Sequence, residues 1–140
     1  MSATLLTAVA RTAVPWTALR RFLALDSVVT TGNGLAYVAL SAPLGRLLGV
    51  GQGLLLGLGV FLVLYGAGVG LLASRRQPPV FPVRLVIEGN YAWAALSLVA
   101  VVVWFTPTTV GAVWIPAQAL TVASFALLQQ LALRAGSGRQ

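Results

Sequence analysis

The chain has 140 residues, of which 59% are hydrophobic and only 8% charged, and nine arginines against two acidic residues give a net charge of +7. A soluble domain carries about 25% charged residues, so this composition excludes a water-soluble fold. Cysteine and histidine are absent, which excludes disulfides, cysteine nucleophiles and the commonest metal ligand. We predict neither a metal nor a cofactor.

The apolar residues fall into four blocks, each close to the roughly 20 residues that cross a hydrocarbon core. The blocks are continuously apolar rather than alternating, which favours helices over a barrel. The prediction is an all-α fold, a four-helix transmembrane bundle over residues 22–134, with helices at about 22–41, 51–73, 85–105 and 110–133. Residues 1–21 are predicted to form a cytoplasmic or interfacial segment, and residues 135–140 a flexible tail.

The first predicted helix carries a polar stripe. Asp26, Thr30, Asn33 and Tyr37 are spaced i, i+4, i+7 and i+11, which places them on one face of a helix. Because polar groups are costly in lipid, this face should point at other helices. The following sequence SAPLGRLL, with Pro43 and Gly45, predicts a turn.

Glycine recurs every fourth residue through the turn and into the second predicted helix, at Gly45, Gly49, Gly53 and Gly57, and Gly66 and Gly70 repeat the spacing later. Small residues at this spacing let two helix backbones approach closely in a membrane. The pattern favours packing inside the bundle, and the alternative is a homo-oligomer interface on the second helix. Sequence does not separate the two.

The arginines indicate topology. Eight of them lie at the two ends of the chain and in the proline-rich loop around Arg75 and Arg76, and only Arg46 lies on the opposite side. By the positive-inside rule, both termini are cytoplasmic and the protein is a multi-pass protein of the cytoplasmic membrane. Because the arginines punctuate apolar blocks, we interpret them as topology signals and predict no nucleic-acid partner.

The two acidic residues, Asp26 and Glu88, lie in the first and third predicted helices at similar depth from the cytoplasmic face. Ionisable groups within a membrane are functional candidates by default, so we predict Asp26 and Glu88 as a catalytic acid and its partner. On the third helix, however, Glu88 and Asn90 lie on opposite faces, and both cannot point at one cavity. The predicted substrate-binding residues are Thr30, Asn33, Tyr65, Asn90, Tyr91 and Trp93. The alternative is that both acids are anchors, paired with Arg21 and Arg84.

Three functions follow from these residues. Two carboxyl groups that face each other in a low-dielectric pocket cannot both ionise easily, so one keeps its proton and can act as a general acid. With aromatic faces nearby to stabilise a cation, such an acid suits a cyclase or isomerase of a lipophilic molecule such as a prenyl chain. The same groups suit a non-enzymatic carrier or proton-coupled exporter. In the third alternative the protein is an accessory membrane subunit.

Two stretches carry a resemblance to a known group of proteins. The sequence LDSVVTTGNGLAYVALSAPLGRLLG, and later EGNYAWAALS, resembles the small four-helix integral membrane proteins common in high-GC actinobacterial genomes. The resemblance covers nearly the whole chain and implies the architecture but no chemistry. The predicted acids within a helical bundle are also analogous to those of membrane-bound terpene cyclases and sterol isomerases.

Overall fold

The computed structural model describes residues 15–103 and 107–137. These residues form five α-helices and no strand, which confirms the all-α prediction for the described part of the chain. In chain order the helices are α1 (Pro15–Ala39), α2 (Ser41–Leu48), α3 (Gln52–Ala73), α4 (Val80–Val103) and α5 (Thr109–Ser137).

Helix α1 starts seven residues before the predicted position 22, and it starts at a proline. Proline is favoured in the first turn of a helix, since its missing N–H would have no partner there. Residues 15–21, predicted to belong to a separate interfacial segment, are therefore the first two turns of α1. Residues 1–14 of the predicted segment lie outside the described residues.

The sequence SAPLGRLL was predicted to form a turn. This prediction was wrong, because these residues form helix α2, which makes an angle of 99° with α1. Pro43 lies in the first turn of α2, where it costs no hydrogen bond. The helix ends at Gly49, whose φ of 75° is in the left-handed region that favours glycine, and its N–H donates to the carbonyl of Gly45 at 2.9 Å.

The remaining helices follow the predictions more closely. Helix α3 (Gln52–Ala73) agrees with the predicted 51–73 to within one residue. Helix α4 begins at Val80, five residues before the predicted start, because Pro82 falls in its first turn and does not interrupt it. Helix α5 extends four residues beyond the predicted 133 and contains Pro116.

The four long helices form a bundle in which α1 packs against α3 and α5, and α4 packs against α5. Helices α3 and α4 touch only lightly, although they are consecutive long helices in the chain. Helices α1 and α4 therefore face each other across the diagonal of the bundle. A gap is left between α3 and α4.

Helices α1 and α3 approach most closely where two glycines meet. A Cβ atom at Gly59 would lie 2.8 Å from the carbonyl oxygen of Gly34, and one at Gly34 would lie 2.8 Å from the carbonyl oxygen of Gly59. In contrast, a Cβ atom at Gly53 or Gly57 would meet nothing within 4 Å. The contact with α1 thus uses Gly66 and Gly70 of the predicted spacing, where a Cβ atom would lie 3.0 Å from the backbone nitrogen of Thr31 and 2.8 Å from the hydroxyl of Ser27, but not Gly53 or Gly57.

The bundle has an apolar surface and a partly polar interior. Val28, Leu64 and Val102 are 70%, 68% and 80% exposed, whereas Asp26 and Gln129 are 1% and 0% exposed. Within the described residues, α3, α4 and α5 are each long and apolar enough to cross a membrane, and the bent pair of α1 and α2 passes the same criterion as one unit. This distribution is that of a membrane protein.

Candidate functional site

Asp26 is the centre of a buried hydrogen-bond network. Its Oδ1 accepts from the hydroxyl of Thr30 at 2.8 Å, one turn further along α1. Its Oδ2 accepts from Nδ2 of Asn90 at 2.8 Å and from Nε2 of Gln129 at 2.7 Å. Thr30, Asn90 and Gln129 are themselves buried. The carboxylate is thus satisfied by three neutral donors that come from three different helices.

Tyr65 extends this network to the fourth long helix, α3. Its hydroxyl donates to the carbonyl of Val86 at 2.9 Å and lies 3.2 Å from Oδ1 of Asn90. Nδ2 of Asn90 also lies 3.2 Å from Oε1 of Gln129. The side chain of Asn90 therefore accepts from α3 and donates to α1 and α5. We call Asp26, Thr30, Tyr65, Asn90 and Gln129 the central network.

The central network lies between two apolar clusters. On the cytoplasmic side of the predicted topology, Leu19, Leu23 and Val83 are fully buried. On the other side, Leu55 and Leu62 pack with Tyr37. A carboxylate in such surroundings is far from water, and the donors that meet it are dipoles rather than a cation. Among the described residues, the hydrogen-bond partners of the Asp26 carboxylate are therefore all neutral.

A cavity of about 260 Å³ occupies the gap between α3 and α4. Phe61 and Tyr65 of α3 and Trp93 of α4 form its aromatic walls, and the Phe61 ring lies nearly parallel to that of Trp93 with a centroid distance of 6.0 Å. Thr30 and Asn90, both direct partners of Asp26, lie at its inner side. Phe61 is half exposed, so the cavity opens at the surface of the bundle.

Two further cavities lie in the half of the bundle towards α2. One of about 170 Å³ lies mainly between α1 and α5 and is lined by Asn33, and another of about 220 Å³ lies between α3, α4 and α5. Two hydrogen bonds separate them, from Trp114 Nε1 to the hydroxyl of Tyr37 at 2.9 Å and from Trp93 Nε1 to Oε1 of Gln118 at 2.8 Å. Trp93 therefore borders three cavities.

The structure does not bring Asp26 and Glu88 together, which corrects the predicted pairing of the two acids. Asn90 points into the bundle, and Glu88, two residues earlier on α4, lies about 200° away around the helix and is exposed. Tyr91 shares the outer face of α4, where its hydroxyl donates to Oε1 of Gln130 at 3.1 Å. The anchoring alternative also fails for Asp26, since its partners are neutral and Arg21 is exposed.

Of the predicted binding residues, four lie around one cavity: Thr30, Tyr65, Asn90 and Trp93. Thr30 and Trp93 also border the cavity that Asn33 lines. Phe61 was missing from the prediction, and the sequence left open whether Gln129 or Gln130 reaches the inner half of the bundle. The sequence has two adjacent glutamines, Gln129 and Gln130, and only the rotation of α5 decides which of them faces inward. Phe61 follows Val60 in an apolar run and carries no polar marker of its own.

Comparisons of the chain with protein-family models, with curated proteins and with solved structures find no match.

Proposed function

We propose that the protein crosses the cytoplasmic membrane four times, with both termini in the cytoplasm. Helix α1, with 25 residues, is about 37 Å long at 1.5 Å per residue, which is long enough to cross a hydrocarbon core. The bend of 99° would then lay α2 along the outer surface. The arginine distribution supports this orientation, because only Arg46, in the last turn of α2, falls on the outer side.

We further propose that the protein binds a lipophilic, positively charged small molecule in the cavity between α3 and α4. The observation that carries the proposal is that the buried carboxylate of Asp26 meets only neutral donors, and that two of these, Thr30 and Asn90, border that cavity. A cation in the cavity would supply the missing positive charge. Only the side chain of Thr30 or Asn90 would then separate the cation from Asp26.

The aromatic residues that line the cavity also favour a lipophilic cation as the ligand. Phe61, Tyr65 and Trp93 present aromatic surface, which attracts cations through the negative faces of the rings, most strongly where water is excluded. The light contact between α3 and α4 offers a lateral entrance from the lipid. A molecule dissolved in the bilayer would reach the cavity without passing through water.

Among the functions compatible with such binding, we favour a small carrier that exchanges its ligand for a proton. A proton on Asp26 and a cation in the cavity would each neutralise the same charge, so each weakens binding of the other. The network tolerates both states, since Thr30 can turn its hydroxyl to accept from a protonated Oδ1. It would then donate to the carbonyl one turn earlier.

The second candidate is an acid-initiated cyclase or isomerase of a prenyl-type chain, with Asp26 alone as the acid. The aromatic walls favour it, because they would stabilise a carbocation as well as a bound cation. It requires Asp26 to be protonated and to reach the substrate, whereas Thr30 and Asn90 lie between Asp26 and the cavity. This is why we place the carrier first.

The proposal is tested by measuring binding of benzyltrimethylammonium to the purified protein in detergent, with neopentylbenzene as the uncharged compound of the same shape. We expect the cation to bind about tenfold or more tightly than the neutral compound. Asp26→Asn should abolish the preference for the cation, and Glu88→Gln, on the outer face of α4, should retain it. Ala92→Trp, at an exposed residue that lines the same cavity and is not part of the central network, should block both compounds.

Equal affinity for the two compounds, or a preference that survives Asp26→Asn, would contradict a cation site at Asp26. The cyclase candidate is tested separately by comparing lipophilic metabolites in producing cells with the native chain and with Asp26→Asn at equal membrane protein levels. Loss of a cyclised product together with accumulation of its linear precursor would favour the enzyme over the carrier.

A further inference from the structure

A second concave site, separate from the central network, lies between α4 and α5 on the outside of the bundle. It is a groove of about 330 Å³, bordered by Arg84, Glu88 and Tyr91 of α4 and by Gln130 and Arg134 of α5. Both arginines are exposed, and they belong to different walls of the groove. We call it the α4–α5 groove.

The charges of this groove fit a single phosphate group. Two guanidinium groups and one carboxylate leave an excess of one positive charge. The planar guanidinium of arginine can donate two parallel hydrogen bonds to two phosphate oxygens. The ammonium group of lysine lacks this geometry. Glu88 follows Arg84 by one helical turn, a spacing that lets the carboxylate orient the guanidinium.

The polarity of the groove changes along its length. Arg84 lies near the start of α4 and Arg134 near the end of α5, so both arginines lie towards the same end of the bundle. Ile87 and Leu133, each 5% exposed, form an apolar base between the walls. Further from the two arginines along the groove, the exposed hydrogen bond from Tyr91 to Gln130 joins the two walls. A ligand with an anionic head and an apolar chain matches this succession of a charged end and an apolar base better than a free anion does.

We propose that the α4–α5 groove binds an anionic phospholipid, whose phosphate is held by Arg84 and Arg134 and whose glycerol region lies over Ile87 and Leu133. In the proposed topology both arginines are at the cytoplasmic surface, where anionic headgroups are attracted by basic residues and where basic pockets between helices bind them. The site is independent of Asp26, so it can be present whether or not the cavity between α3 and α4 binds a cation.

The test is native mass spectrometry of the full chain in detergent with added dioleoylphosphatidylglycerol, dioleoylphosphatidylcholine or inorganic phosphate. We expect retained phosphatidylglycerol adducts, few phosphatidylcholine adducts, and no displacement by phosphate. Arg84→Gln and Arg134→Gln should each weaken phosphatidylglycerol binding about fivefold. Arg84→Lys should restore it only in part. Glu88→Gln should strengthen it, since it removes the negative charge from the groove.

Arg76→Gln is the matched control, because Arg76 is exposed on the same side of the bundle but outside the groove. If Arg76→Gln weakens binding as much as Arg84→Gln does, the attraction is a general effect of surface charge and the proposed site is refuted. Equal binding of the two lipids would also refute it. Displacement of the lipid by inorganic phosphate would assign the groove to a free phosphate instead.

Discussion

Nδ2 of Asn90 lies 2.8 Å from Oδ2 of Asp26, although α4 and α1 occupy opposite corners of the bundle. The bond crosses the diagonal, and Gln129 donates to the same oxygen at 2.7 Å from the neighbouring helix. In a membrane the association of helices gains little from hydrophobic burial. Hydrogen bonds between helices therefore contribute to which helices pack together. The central network thus links all four long helices to one another.

Removing the side chain of Asn90 is therefore expected to destabilise the protein. Asn90→Ala deletes the bonds to Asp26 and Gln129 and the acceptor for Tyr65, and should lower the free energy of unfolding by about 2 kcal/mol. Thermal unfolding in detergent, followed by circular dichroism, measures this change. The control is Asn33→Ala, a half-buried residue that only lines a cavity. An equal loss in both variants would contradict a special role for Asn90.

The glycine contact between α1 and α3 gives a second prediction. Gly59→Ala places a methyl group 2.8 Å from the carbonyl oxygen of Gly34, so the two helices must move apart, at a cost of about 1–3 kcal/mol. Gly57→Ala, where nothing lies within 4 Å, should instead be neutral or stabilising by up to about 1 kcal/mol, since alanine is the better helix former. The same unfolding experiment compares them. A tolerated Gly59→Ala would mean that α1 and α3 do not cross there.

The hydroxyl of Tyr65 allows a finer test of the central network. Tyr65→Phe keeps the ring in the cavity wall and removes the hydroxyl that donates to the carbonyl of Val86 and to Oδ1 of Asn90, which should cost about 1 kcal/mol. Tyr91→Phe removes a hydroxyl from the surface, where its bond to Gln130 is exposed, and should cost less. If the order of the two costs is reversed, Tyr65 does not take part in the network as described.

The absence of cysteine makes the topology directly testable. Gln52→Cys and Gln77→Cys each introduce one thiol at an exposed position, at the start of α3 and in the loop before α4. With both termini cytoplasmic, a membrane-impermeant maleimide should label residue 52 in intact cells and residue 77 only after the membrane is opened. The reverse labelling pattern would invert the proposed orientation, and labelling of both in intact cells would contradict a span between them.

Much of the architecture follows from sequence alone because it depends on local properties. The length of the apolar run predicts α3 to within one residue. The spacing of Asp26, Thr30, Asn33 and Tyr37 predicts a face that points inward, and all four are buried or half-buried. The positions of α1, α2 and α4 were less accurate, since Pro15, Pro43 and Pro82 lie in first turns, where proline permits a helix rather than ending one.

The composition, the helical character and the separation of polar from apolar faces were thus determined by the sequence, since they arise within single segments. Which face of each helix points inward was decided only by the tertiary structure. Helical periodicity places Glu88 and Asn90 on opposite sides of α4, but only packing turns Asn90 towards Asp26 and leaves Glu88 in a surface groove. The same holds for Gln129 and Gln130, because one residue along a helix is a rotation of about 100°, and the contact with neighbouring helices selects one.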